Sequence, residues 1–164
     1  MAGEANDGDL GVLVAETRLG KFQVEARGAS WAVLVDEPAS VGGLGDGPNP
    51  YDLLCAALGS CTTMTLRLYA DRKAWPLTRV QVRVSHKRGS LKERDQFLLS
   101  VTLEGDLDEE QKARLMEIAE RCPVHMTLDR GADVHTTITV AAATTAASPA
   151  DLKHMRDMDE ACAS

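Results

Sequence analysis

The apolar positions of the chain change period several times, and each change marks an element. Val12-Leu-Val-Ala-Glu-Thr17, Phe22-Gln-Val-Glu-Ala26 and Trp31-Ala-Val-Leu-Val35 are short alternating or β-branched runs, separated by Leu19-Gly-Lys21 and Arg27-Gly-Ala-Ser30. Turn residues between such runs predict a three-stranded antiparallel meander. A Gly- and Pro-rich loop from Pro38 to Pro50 follows, and then a helical period that runs to Trp75-Pro76. Its start is written in the side chains: Asn49 suits the N-cap, Pro50 the first helical position, and Asp52 sets a carboxylate against the positive helix end.

Alternation returns at Val80, Val82 and Val84, and again at Phe97, Leu99, Val101 and Leu103, with Gly89-Ser90 between. The pattern predicts a second hairpin. From Asp106 to Arg121 the period is helical again, with Leu115, Ile118, Ala119 and Cys122 on one face until Cys122-Pro123 breaks it. A last strand is expected at Val134 to Val140, and Ala141 to Pro149 looks like a flexible tether. The order βββ, long helix, ββ, helix, β has no regular βαβ alternation, so the expected class is α+β. One domain is expected over residues 11–140, between flexible tails at 1–10 and 141–164.

Composition narrows the function classes. A chain of 164 residues, 44% hydrophobic and 26% charged, is sized and mixed as one globular domain. Met1 to Asp9 lacks the basic and apolar regions of a signal peptide, and no run approaches the ~18 apolar residues of a membrane span. A cytoplasmic location without membrane contact is therefore expected. A net charge of −7 argues against phosphate backbones, so nucleic acid is not an expected partner. Four cysteines in a reducing compartment suggest buried thiols, ligands or redox groups rather than a disulfide framework.

Leu54, Leu58, Cys61, Thr65 and Leu68 share one helical face, so Cys61 is expected to be largely buried, where packing and chemistry are both open uses. Cys55 lies on another part of that helix and reads as packing. Cys122 precedes Pro123 as an N-cap would, with backbone N–H groups, Arg121 and His125 near its sulfur. Cys122-Pro-Val-His125 would supply half of a metal site, but no second half exists, and neither metal nor cofactor is expected. Gly43-Leu-Gly-Asp-Gly47 lacks the GK[ST] ending of a phosphate loop, Pro48 and Pro50 remove backbone donors, and a flexible connection is the expected use.

Taken together, Asp36-Glu-Pro38, Gly42-Gly43, Gly47-Pro-Asn-Pro-Tyr-Asp-Leu-Leu54, Ala57-Leu-Gly-Ser-Cys-Thr-Thr-Met-Thr-Leu-Arg67 and Cys122-Pro-Val-His125 resemble the OsmC/Ohr family over roughly Val12 to Val140. The resemblance implies an α+β fold, an antiparallel meander and hairpin around a long central helix, in an intertwined homodimer with active sites at the subunit interface. It also implies reduction of organic hydroperoxides. Cys61 would become a sulfenic acid, Cys122 would close a disulfide with it, and an external dithiol would regenerate the pair. Cys55 is about 9 Å along the helix axis from Cys61, beyond bridging reach. Cys162 lies past the tether, and both are expected to stay free.

The chain departs from the family's best-known branch at the groups that activate the thiol. Tyr51 stands where that branch has a glutamate, and Gly20 where it has an arginine. Arg18 is the candidate thiolate activator, with Lys21 nearby, and Asp52 is the neighbouring carboxylate candidate. Loss of the activating pair would leave a non-enzymatic OsmC-like dimer that binds a small molecule or senses redox state.

Overall fold

The computed structural model describes residues 11–90 and 93–140. The expected tails at 1–10 and 141–164, Cys162 among them, lie outside the described residues. The chain falls into two units dividing between Ala132 and Asp133.

In the first unit, β1 (Leu13–Glu16), β2 (Val24–Arg27) and β3 (Ala32–Val35) form the expected antiparallel meander, in the order β1-β2-β3. Its pairing is regular, with Val14 opposite Ala26 and Ala26 opposite Val33. A 3-10 turn at Ala39–Val41 leads to α1 (Pro50–Arg72). Both halves of a capping box form at its start: Tyr51 and Asp52 donate their N–H groups to Asn49 Oδ1, and Asn49 N–H donates to Asp52 Oδ2. Two of the donors that a helix start otherwise leaves unpaired are satisfied in this way, together with the Asn49 N–H.

The loop between β3 and α1 is not the expected flexible connection but is held by hydrogen bonds. Asp36, only 1% exposed, accepts N–H bonds from Glu37 and Leu44, both at 2.8 Å. A Cβ on Gly43 would lie 1.8 Å from the Glu37 carbonyl oxygen, and one on Gly47 would lie 2.2 Å from that of Leu34. These glycines allow backbone to lie against backbone, which explains the Gly-rich run without a phosphate.

β4 (Leu77–Lys87) and β5 (Gln96–Gly105) form the second hairpin, longer at both ends than the alternation alone marks. α2 (Glu109–Ala119) is shorter than the expected 106–121, because Asp108 caps it by accepting from Gln111 N–H. α3 (Pro123–Arg130) follows, with Cys122 as its N-cap, as the Cys-Pro step predicts. The core joins Leu66 and Ala70 of α1 to Leu77 of β4, Leu107, and Leu115, Ile118 and Ala119 of α2.

Three further expectations are corrected. The buried face of α1 is Leu58, Gly59, Thr62, Leu66 and Ala70, whereas Leu54 and Leu68 are exposed and Cys61 is half-buried. The helix is apolar around most of its girth, so two stripes fit the same period, and packing against β4, α2 and α3 selects the one through Thr62. By length and composition alone α1 is also long and apolar enough to cross a membrane, which the sequence reading did not find. Within the described residues its Leu58-Thr62-Leu66-Ala70 stripe is buried. Lastly, Val134–Val140 is not a strand in one chain. The described part of the second unit, residues 133–140, has no regular structure, and Val134, Ile138 and Val140 are 86, 87 and 91% exposed. A strand needs a ladder partner, and neither sheet includes this segment.

Candidate functional site

Three described cysteines are free thiols: Cys55 and Cys61, both half-buried, and Cys122, which has no exposed surface. Cys61 lies on the flank of α1, one position before Thr62 at the centre of the buried face. Thr62 bridges to the second cysteine. Its Oγ1 lies 3.3 Å from Cys122 Sγ, and it donates to the Leu58 carbonyl at 2.9 Å. Because an α-helix starts at Pro123, the backbone N–H of His125 is unpaired within the helix and donates to Cys122 Sγ at 3.3 Å. Cys122, 61 residues further along the chain, is thus held against the residue that follows Cys61.

Around this pair the side chains divide by role. His125 Nδ1 is buried without a hydrogen-bond partner among the described residues. It borders an open cleft of about 510 Å³ between β5 and α3, whose apolar wall is Leu58, Phe97, Leu99 and Leu128. The Arg94 guanidinium stands at the rim and donates to the Leu128 and Asp129 carbonyls near the negative end of α3. The cleft therefore touches both residues that flank the Thr62–Cys122 contact, Leu58 and His125.

Arg18 is exposed in the β1–β2 turn with a left-handed backbone (φ 62°), and makes no hydrogen bond or ion pair among the described residues. Arg121 is likewise exposed. Asp52 is occupied by the α1 capping box. Burial, and then the Asp52 charge, push the Cys55 thiol pKa up.

Tyr51, at the position where the resemblance has a glutamate, carries a cluster that periodicity did not disclose. Its ring stacks on His86, its hydroxyl accepts from Arg88 Nη1 at 3.0 Å, and His86 Nε2 pairs with Asp95 Oδ2 at 2.9 Å. The Phe97 ring also packs on the imidazole, tilted at 37° with centroids 4.9 Å apart. The Gly89 N–H bond, and then the His86 bond, hold the Asp95 carboxyl below the usual carboxylate range.

A family model described as OsmC-like protein matches residues 43–137. No curated protein matches the chain. Among solved structures, an OsmC-like protein from Mycoplasma pneumoniae is 18% identical, with a TM-score of 0.64 over 76% of this chain and 89% of its own. An organic hydroperoxide resistance protein OsmC from Legionella pneumophila is 22% identical, with a TM-score of 0.57 over 76% and 91%. An organic hydroperoxide resistance protein from Elizabethkingia anophelis is also 22% identical, with a TM-score of 0.51 over 74% and 91%. At these identities the likeness carries the fold.

Proposed function

The chain belongs to the OsmC-like protein family, and on that premise we propose that it is a thiol-dependent peroxidase acting on organic hydroperoxides. Cys61 attacks the terminal peroxide oxygen, the O–O bond breaks, the alcohol leaves, and Cys61 holds a sulfenic acid. Cys122 then displaces that oxygen as water and closes the Cys61–Cys122 disulfide. An external dithiol reduces the disulfide and is itself oxidised. The observation that carries this reading is the contact of the free Cys122 thiol with Thr62, the residue next to the free Cys61. The apolar cleft along Leu58, Phe97 and Leu99 suits the organic part of such a substrate. Arg18, exposed and without an ion pair among the described residues, is the guanidinium we assign to thiolate activation.

The proposal includes a homodimer in the cytoplasm. Val12, Leu13, Val14 and Trp31 of the meander, and Met64 and Leu68 of α1, are each between 49 and 70% exposed. In the second unit Val134, Ile138 and Val140 are exposed as well, and apolar side chains such as these are what a second subunit would cover. Sedimentation at micromolar concentration is expected to give a dimer, and a folded monomer would contradict it.

One observation favours the second reading, a redox sensor or small-molecule binder: Tyr51 holds the glutamate position and is engaged with His86 and Arg88. Turnover separates the two. With an organic hydroperoxide and a dithiol, the enzyme consumes many equivalents, and Cys61→Ser consumes none. A sensor is oxidised once and stops.

A further inference from the structure

Cys122 and Thr62 are both wholly buried, so their hydrogen bonds are made without solvent. A threonine hydroxyl carries one hydrogen, and here it is committed. Thr62 Oγ1 lies 2.9 Å from the Leu58 carbonyl oxygen, which has no proton to give, so the hydroxyl must donate there. What remains to Thr62 Oγ1 is acceptance. Its 3.3 Å contact with Cys122 Sγ is therefore a hydrogen bond in which the S–H donates to Thr62. The same sulfur accepts the His125 N–H at 3.3 Å from the other side. Two of the directions about Sγ besides its carbon are thus taken, one by a bond from α3's own first turn and one by α1.

From this count we infer that Thr62 is a positioning residue for the Cys122 thiol: it receives the S–H, fixes the side chain in one rotamer, and leaves a single sulfur lone pair for bond formation. The inference rests on the peroxidase reading and deepens its second step. The free lone pair of Cys122 attacks the Cys61 sulfenic sulfur, the S–S bond forms as the Cys61 S–O bond breaks, and the oxygen departs as water with the proton released from Cys122. Thr62 is adjacent in chain to Cys61, so one rigid helical turn carries both the oxidised sulfur and the group that orients its partner. Preorganisation of that kind speeds closure without taking part in the reaction with peroxide.

Three variants of the full chain test it. Thr62→Val keeps the shape and loses the hydroxyl, Thr62→Ala loses it with less bulk should the valine pack poorly, and Thr62→Ser keeps it. In single turnover with one equivalent of an organic hydroperoxide, Cys61 sulfenic acid is trapped with a 1,3-dicarbonyl probe and the disulfide is followed by peptide mapping. The hydroxyl-free variants are expected to form sulfenic acid at the parent rate and to close the disulfide roughly three- to tenfold more slowly, the worth of one hydrogen bond, with Thr62→Ser near the parent. A second readout needs no peroxide: the infrared S–H stretch of Cys122, assigned by difference against Cys122→Ser, should move to its unbonded position in Thr62→Val and return in Thr62→Ser. An unmoved band, or unchanged closure in both hydroxyl-free variants, overturns the inference. If Cys61 of the parent protein is not oxidised while the band shifts as expected, the peroxidase reading fails and the closing step with it, and the hydrogen bond stands.

Discussion

The Tyr51 ring lies flat on the His86 imidazole, with centroids 4.2 Å apart and planes 6° from parallel. This contact pins the first turn of α1 to the far end of β4, and Asp95, just before β5, holds the imidazole from the other side of the connection. Replacing Tyr51 by Phe keeps the stack and removes only the Arg88 bond, an exposed one. Tyr51→Phe is therefore expected to leave urea unfolding almost unchanged, and Tyr51→Ala to lose about 0.5–1.5 kcal/mol for the stack besides its buried area.

Asp52 has two consequences that separate a cap from a catalytic group. Asp52→Ala is expected to lower stability by about 0.5–1 kcal/mol, as loss of a carboxylate at a helix N-terminus does. Peroxide consumption with dithiol should stay near the parent rate. Since the Asp52 charge helps push the Cys55 pKa up, the same variant should alkylate Cys55 at lower pH, read by mass spectrometry of the labelled peptide.

Asp36 ties stability to acid. Burial raises its pKa, but the N–H groups of Leu44, Glu37, Asp46 and Gly45 together lower it further, so the folded value lies below the unfolded one. The stabilisation is present above the unfolded pKa and is lost as pH falls through the folded one. Asp36→Asn is expected to melt lower at neutral pH and to show a flatter Tm against pH in the acid range. Parallel melting curves of parent and variant would refute this.

Cys122→Ser should retain the first peroxide step and lose disulfide closure, so that Cys61 proceeds to sulfinic acid with excess hydroperoxide. Intact-mass measurement after stepwise addition checks it. In the core, Leu66 has no exposed surface, and Leu66→Ala is expected to cost about 2–5 kcal/mol in urea unfolding.

What the sequence disclosed were features made by neighbours in the chain. The start of α1 follows from Asn49, Pro50 and Asp52, all within one helical turn, and the start of α3 from Cys122-Pro123. The meander and hairpin follow from alternation. What it hid were choices made by distant residues. Periodicity pointed to an α1 stripe through Cys61, and packing against β4, α2 and α3 selects instead the one through Thr62. The Tyr51, His86 and Asp95 cluster joins a helix start to β4 and to the connection before β5, with no spacing rule to announce it. Val134 to Val140 alternates like a strand, yet pairing depends on a partner that the pattern does not name.

The meander has a further consequence, for the order in which the molecule gains its shape. The continuous core belongs to α1, β4, β5 and α2, which are joined by short connections, whereas β1 to β3 contribute only Ala26 and Val35 to the buried apolar set. Amides of the hairpin and α1 should therefore exchange with solvent slowest, and those of β1 fastest, as separately opening parts of one chain. If the meander gains its cover from a second subunit, its protection rises with protein concentration while that of the helical core does not. Dilution would then loosen β1 to β3 before it touches Cys61 and Cys122.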